Sequence, residues 1–227
     1  MTMDILSGSA SLEWGGERLT LLPERVVWWA GGETLFMADP HFGKASAFRH
    51  AGLAVPETSH RDDLHRLDRA LSRTGAKRLV ILGDFFHAKT GRSEATLLGL
   101  TAWRERQAAL EIILVPGNHD RHAGTPQDTW RIECVRDPWI LEPFACVHEP
   151  RELPGRFVLA GHVHPSVGLR DRIGSGVRGP CFHFGRRVAV LPAFGTFTGS
   201  HPVTPRRSDR IFLVGDDQVI DVSSAVS

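Results

Sequence analysis

Several short apolar runs in this chain stop abruptly at side chains that a packed core rejects. Thr34-Leu35-Phe36-Met37-Ala38 runs into Asp39-Pro40-His41, and Arg78-Leu79-Val80-Ile81-Leu82 into Gly83-Asp84-Phe85-Phe86-His87. Ile112-Ile113-Leu114-Val115 runs into Pro116-Gly117-Asn118-His119-Asp120. Phe144–Val147 stops at His148, and Phe157–Ala160 at Gly161-His162-Val163-His164. A short apolar run bounded by Gly or Pro is the pattern of a strand buried on both faces. Open α/β sheets bind their ligands in the loops at the carboxyl ends of such strands. The recurrence therefore predicts an α/β fold whose strand ends bring imidazoles, carboxylates and an amide oxygen together.

The segments between the runs agree with that frame. Leu64, Leu67, Ala70 and Leu71 recur at helical spacing and predict a helix over Ser59–Thr74, with Ser59 as N-cap and Gly75 as stop. A second amphipathic helix is predicted over Glu94–Leu110, and a shorter helical segment from Gly43 to His50. Pro56-Glu57-Thr58 reads as loop. Glu17–Leu22 and Arg25–Ala30, separated by Pro23, read as edge or hairpin strands. After Gly124 the helical period disappears. Short runs such as Val167–Leu169, Arg187–Leu191, Ile211–Val214 and Gln218–Val222 predict a β-rich second half. With no internal repeat and no linker-like stretch, residues 1–227 read as a single domain.

Composition narrows the class further. With 27 basic and 26 acidic side chains, the chain carries no global field that demands nucleic acid or forbids it. The odd count of 3 cysteines, Cys134, Cys146 and Cys181, excludes a disulfide framework and predicts buried thiols in a reducing compartment. The N-terminus lacks a charged stretch followed by an apolar one, and no run approaches the ~20 residues of a membrane span. A soluble, cytoplasmic protein with no membrane partner is the expectation.

The residues after the apolar runs form a donor set. Asp39, His41, Asp84, Asn118, His148, His162 and His164 offer carboxylate, imidazole and amide oxygen, without a thiolate. That chemistry suits Mn, Fe or Zn rather than Ca or a structural zinc. It exceeds the needs of one ion. Two ions ~3.5–4 Å apart, sharing a bridging carboxylate, would use it all. The DxH and HxH spacings suit such a site, because alternate residues of extended backbone point the same way. Each pair alone would be incidental; the ordered series is not.

The series Asp39-Pro40-His41, Gly83-Asp84-Phe85-Phe86-His87, Gly117-Asn118-His119-Asp120, His148 and Gly161-His162-Val163-His164 resembles the motifs of the calcineurin-like metallophosphoesterases. The resemblance implies a four-layer α/β/β/α sandwich with a dinuclear metal centre. One metal would take Asp39, His41, Asp84 and His164. The other would take Asp84, Asn118, His148 and His162, with Asp84 bridging. Such ions activate water and offset charge during in-line attack on phosphorus. His119 would stabilise the phosphate or protonate the leaving oxygen, and Asp120 would accept from its other ring nitrogen.

A narrower resemblance rests on Leu22-Pro23-Glu24-Arg25, on Ala38–Lys44, on Pro180-Cys181-Phe182 and on Leu191–Gly199. These look like the bacterial ligase-associated DNA damage response endonucleases. That family implies a manganese-dependent phosphodiesterase cutting DNA, single-stranded by preference, in company with a DNA ligase, a helicase and an exonuclease. Pro40 departs from the family, which usually has a non-proline residue there; it removes a backbone donor and fixes φ.

Other residues carry weaker signals. His87 reads equally as metal-approaching, supporting or structural, and Lys44 more as a solvated lysine than as a phosphate contact. His122, His50, His60, His65, His183 and His201 read as surface or satisfied core histidines. The arginines of the second half, Arg170, Arg172, Arg178, Arg186, Arg187, Arg206, Arg207 and Arg210, are diluted by Asp171, Asp209, Asp216 and Asp217. Taken alone they read as a mixed surface; the resemblance turns them into candidates for a nucleic-acid groove. The 6 tryptophans lie in or beside apolar runs and read as core. Two other functions stay open: a small-molecule phosphoesterase such as a nucleotide pyrophosphatase, and a non-catalytic scaffold of the same fold. The complete donor set with His119 argues against the scaffold.

Overall fold

The computed structural model describes residues 6–55, 59–170 and 176–226, without the side chains of Ser59, His60 and Arg170. The loop read at Pro56-Glu57-Thr58, the Ser59 cap, His60, and Asp171 and Arg172 lie outside what is described.

The first sheet has seven strands in sequence order: β1 (Ala10–Trp14), β2 (Glu17–Leu22), β3 (Val26–Trp29), β4 (Thr34–Ala38), β5 (Arg78–Leu82), β6 (Glu111–Val115) and β7 (Ile132–Cys134). β1 to β4 pair antiparallel as hairpins, and β4 to β7 pair parallel. The parallel part needs crossovers, which helices α1 (Lys44–His50), α2 (Ser59–Thr74) and α3 (Glu94–Arg106) supply. A single helical turn, α4 (Asp120–Ala123), follows β6.

The second sheet has nine strands. β8 (Trp139–Leu141), β9 (Phe144–Cys146), β10 (Phe157–Ala160), β11 (Pro165–Arg170), β12 (Gly176–Phe184), β13 (Val188–Val190) and β14 (His201–Pro202) run in the order β14-β11-β12-β13-β10-β9-β8. β15 (Arg210–Val214) joins β12 and pairs with β16 (Val219–Asp221). Within this largely antiparallel sheet, β10 pairs parallel with both β9 and β13. The two strands that lead to His148 and His162 are therefore parallel, like those of the first sheet.

Alternation along each strand divides the apolar residues into layers. Phe36, Ala38, Val80, Leu82, Ile113 and Val115 face the second sheet, where they meet Phe144, Leu159, Phe182, Phe184 and Phe212. Phe144 is the hub of that layer, in ring contact with Trp14, Trp29 and Phe36. The opposite face of the first sheet, with Leu35, Met37, Ile81 and Leu114, packs on Leu64, Leu67 and Leu71 of α2 and Leu100 and Trp103 of α3. Cys181, Ile211 and Leu213 point out of the second sheet toward Val222 and Val226 at the short helix α5 (Ser223–Val226). The layers are helix, sheet, sheet and helix, as the resemblance implied, with the fourth reduced to a turn of helix.

Most boundaries fall where the sequence put them, and the departures have local causes. α3 stops at Arg106, short of Leu110, because the chain turns at Gln107 and folds Leu110 back into the helix-facing core. Ser93 caps α3 by accepting from the Thr96 N–H at 3.3 Å. β12 has no apolar run at its start, where Gly176, Gly179 and Pro180 discourage a strand. Antiparallel pairing with β11 imposes it nonetheless. Cys134 is exposed on the edge strand β7, correcting the expectation that all three cysteines are buried; Cys146 and Cys181 are. Five tryptophans are buried, and Trp139 packs half-buried against the inter-sheet core. No described helix is long and apolar enough to cross a membrane.

Candidate metal centre

The donor residues sit on loops that follow β4, β5, β6, β9 and β10 at their carboxyl ends. Asp39, His41, Asp84, His162 and His164 all adopt positive φ, between 46° and 69°. Non-glycine residues pay for this conformation, and it clusters where surrounding structure overrules local preference. Here the overruling contacts come from neighbouring strand ends, one of them across the sheets. The Asp39 Oδ2 accepts from the His162 N–H at 2.8 Å, and the His41 N–H donates to the Asp84 carbonyl at 2.9 Å. Two glycines permit the close approach. A Cβ on Gly117 would overlap the Asp84 carboxylate, and one on Gly161 would meet the Asp39 carboxylate and the Leu82 carbonyl.

Pro40 fits this loop without loss. The hydrogen bonds that hold it come from its neighbours: His41 N–H to Asp84 O, and Gly195 N–H to Asp39 O at 3.3 Å. The segment that supplies Gly195 is anchored in turn to α2. Arg66 donates to the Phe194 carbonyl and to Asp63, whose Oδ1 also accepts from the Thr196 hydroxyl at 2.5 Å. This segment ends at Gly199, whose carbonyl accepts from His164 Nδ1 at 3.1 Å.

Carbonyl contacts of this kind fix the direction of three imidazoles. A carbonyl only accepts, so Nδ1 carries the proton and Nε2 presents its lone pair in the neutral ring. His148 Nδ1 donates to Leu82 O at 3.1 Å, and His119 Nδ1 to His87 O at 2.8 Å. The freed nitrogens converge. His164 Nε2 stands 3.3 Å from His41 Nε2 and 3.7 Å from Asp39 Oδ2. His148 Nε2 stands 2.9 Å from Asn118 Oδ1 and 3.0 Å from His162 Nδ1. Asp84 lies between the two groups, with Oδ2 3.7 Å from His41 Nε2 and Oδ1 3.6 Å from His148 Nε2.

Donor atoms aimed at one another at these distances could hold a cation. Asp39 Oδ1 is buried without a hydrogen-bond partner, as a group reserved for another ligand would be. Burial raises the Asp39 pKa, opposed by His164 and His148. Burial, then the charges of Lys44 and His164, holds His41 well below the usual imidazole range, so it presents a neutral ring. Asp39–His41–His164 and Asp39–Asp84–His148 each place three donor atoms within 4.8 Å of one another. The residues therefore fit two divalent ions, with Asp39, His41, Asp84 and His164 able to hold one, and Asp84, Asn118, His148 and His162 the other.

Asp120 and Lys44 stand differently from expectation, and His87 takes one of the places left open for it. Asp120 does not receive the His119 ring; His87 O has that place. Its buried carboxylate instead accepts the N–H groups of Phe85 at 2.9 Å, Phe86 at 3.4 Å and Gly117 at 2.8 Å, tying the loops after β5 and β6 together. Burial raises its pKa against those bonds. His87 stacks on His119 and meets His41 edge-on, and the three offer donor atoms within 4.8 Å of one another. Burial and the charge of Lys44 lower its pKa to about 4. Lys44 is half-buried rather than solvated, with burial lowering its pKa against the pull of Asp84 and Asp39.

A calcineurin-like phosphoesterase family model matches residues 33–189. The chain belongs to that family. The crystal structure of Pseudomonas putida nuclease MPE superposes with a TM-score of 0.82 at 40% identity, covering 93% of this chain and 100% of that one. No curated protein sequence matches the chain. The protein is thus a hydrolase of phosphoester bonds, and its family typically binds two divalent metals. His119 occupies the mouth of the site, 38% exposed, with Nε2 3.9 Å from Asp84 Oδ2.

Proposed function

We propose that this phosphoesterase is a nuclease that cuts DNA, preferentially single-stranded, by hydrolysing phosphodiesters at a dinuclear centre. Mn2+ is the proposed metal, and DNA repair in the cytoplasm, alongside a DNA ligase, a helicase and an exonuclease, the proposed setting. The nuclease neighbour at 40% identity supports the substrate class. The observation that carries the metal assignment is the position of Asp84, one oxygen turned to each donor group. The oxygen- and imidazole-rich donors are compatible with Mn.

Two divalent ions held there would supply an activated water and neutralise charge on the phosphate. The protein's own part is positional and protonic. Asp39, His41 and His164 on one side, and Asn118, His148 and His162 on the other, enforce a fixed spacing through inter-sheet hydrogen bonds. His119, with Nδ1–H committed to the His87 carbonyl, has Nε2 free to contact phosphate and, when protonated, to give a proton to the departing oxygen. Asp120 acts on His119 through the backbone, by fixing the loops that bear His119 and His87.

A matched assay with Mn2+ on single-stranded DNA, a small diester and a monoester tests the reading. Cleavage of DNA and diester, with slower monoester turnover, is expected. Fast monoester hydrolysis beside intact DNA would replace the nuclease with a small-molecule phosphoesterase.

A further inference from the structure

The chain beyond His148 borders a second space outside the metal centre. Asn118 and His148 line a cleft of about 280 Å³ together with Arg121 and Arg151. Arg151 also lines a groove of about 600 Å³, whose other cations are Arg186, Arg187 and Arg206. Arg151, ion-paired with Asp137, thus borders both spaces, while Arg121 borders the cleft beside the donor cluster.

The three far arginines share one condition. Arg66, Arg73, Arg78, Arg106, Arg156 and Arg210 each face a carboxylate, and so does Arg151, which meets Asp137. Among the described residues, no carboxylate pairs with Arg186, Arg187 or Arg206. Arg186 and Arg187 form the tip of the tight hairpin between β12 and β13, closed by the Gly185 N–H on Val188 O at 2.9 Å. The Arg187 guanidinium lies over the Phe157 ring, 5.2 Å from its centroid. Arg206 belongs to a turn held by buried Asp209, which accepts the Arg206 N–H at 2.9 Å and His183 Nε2 at 2.8 Å. Both bonds fall on Asp209 Oδ2, and Glu152 is the other acidic residue of the lining. The backbone is fixed while the three arginines stay exposed, with Arg187 resting on Phe157.

Guanidinium forks match phosphate oxygens, and several along one groove match a chain of phosphates rather than a single anion. The lining holds Pro150, Val188 and Val190 and no Phe, Trp or Tyr; its one ring, the His183 imidazole, is tied to Asp209 at 2.8 Å. With that ring committed, guanidinium contacts dominate the lining, and contacts of this kind position a strand without reading its sequence. We propose that Arg186, Arg187 and Arg206 form a backbone track for one arm of the DNA strand, entered from the metal centre past Arg121 and Arg151. This rests on the nuclease reading.

The test uses the full-length Mn2+-loaded enzyme and the triple variant Arg186→Ala/Arg187→Ala/Arg206→Ala. Each is assayed on a 20-nucleotide single strand and on bis(p-nitrophenyl) phosphate. The ratio of oligonucleotide to small-diester kcat/KM is expected to fall at least tenfold in the variant, the diester in the same preparation reporting folded enzyme. Oligonucleotide affinity, measured by fluorescence anisotropy against NaCl, should lose about 2 from its log–log slope, since each single-strand phosphate contact contributes about 0.7. Restoring lysine at all three positions should recover the slope. A wild type that cuts oligonucleotides, with an unchanged ratio and slope in the variant, overturns the track alone. A wild type that hydrolyses the diester but neither binds nor cuts the oligonucleotide overturns the nuclease reading and the track with it.

Discussion

The two sheets give the metal centre different things. The first contributes both carboxylates and the amide, Asp39, Asp84 and Asn118, with His41 and His119; the second contributes imidazoles alone, His148, His162 and His164. A carboxylate can face two partners at once, as Asp84 does. An imidazole faces one, and is aimed only when its other nitrogen is spent elsewhere. The second sheet's rings are aimed across or around the interface, His148 by Leu82 O at the end of a first-sheet strand and His164 by Gly199 O. The first sheet thus supplies the charge. Orientation arises where the sheets meet, and the inter-sheet core around Phe144 sets its distances.

The largest expected effect follows from the shared carboxylate. Asp84→Ala removes the carboxylate whose two oxygens face His41 and His148, one in each donor group. Metal content, measured by inductively coupled plasma mass spectrometry, should fall below two ions per chain. Diester hydrolysis should drop by about 10³-fold or more, the scale of losing charge stabilisation at a transition state. A variant that keeps two ions and full turnover would break the division between the sheets at its centre.

Much of this arrangement was readable from residues alone, for identifiable reasons. β4, β5, β6, β9 and β10 are short apolar runs with polar side chains immediately beyond, so the strands and the donors at their ends declare themselves together. The helix-facing residues Leu64, Leu67 and Leu71 keep their period because one face of α2 is buried. What escaped was set by backbone and by pairing. β12 is a strand because β11 lies beside it, against the preference of Gly176, Gly179 and Pro180. The carbonyls of Leu82, His87 and Gly199 orient three histidines, and no residue type marks a carbonyl in sequence. For that reason Asp120 was the apparent partner of His119: adjacency suggested a carboxylate, whereas the fold brings a carbonyl. The GDxxH spacing placed His87 near the site but held no sign of what its main chain does.

The second expected effect separates the proton-handling group from the donors that hold metal. His119→Ala leaves both donor groups intact, so two ions should remain bound. Turnover of DNA, with its poor leaving group, should fall by about 10²–10⁴-fold. Bis(p-nitrophenyl) phosphate, whose leaving group needs no proton, should lose much less. Equal losses on the two substrates would move His119 from proton donor to phosphate contact, and loss of metal would place it among the ligands.

The smallest effect probes the loops rather than the donors. The Asp120 carboxylate gathers three N–H groups from the segments after β5 and β6. Asp120→Asn keeps the volume but turns an amide N–H toward one of those donors, leaving a buried N–H unpaired at a cost of about 1–3 kcal/mol. Thermal unfolding should shift down by about 2–4 °C for each kcal/mol in a domain of this size. Turnover should fall on DNA and on the small diester alike, because Phe85–His87 and Gly117–His119 relax together. If Asp120 instead governed the His119 ring directly, only the substrate with the poor leaving group would suffer and stability would not move. The two readouts together decide whether this carboxylate serves the proton or the scaffold that carries it.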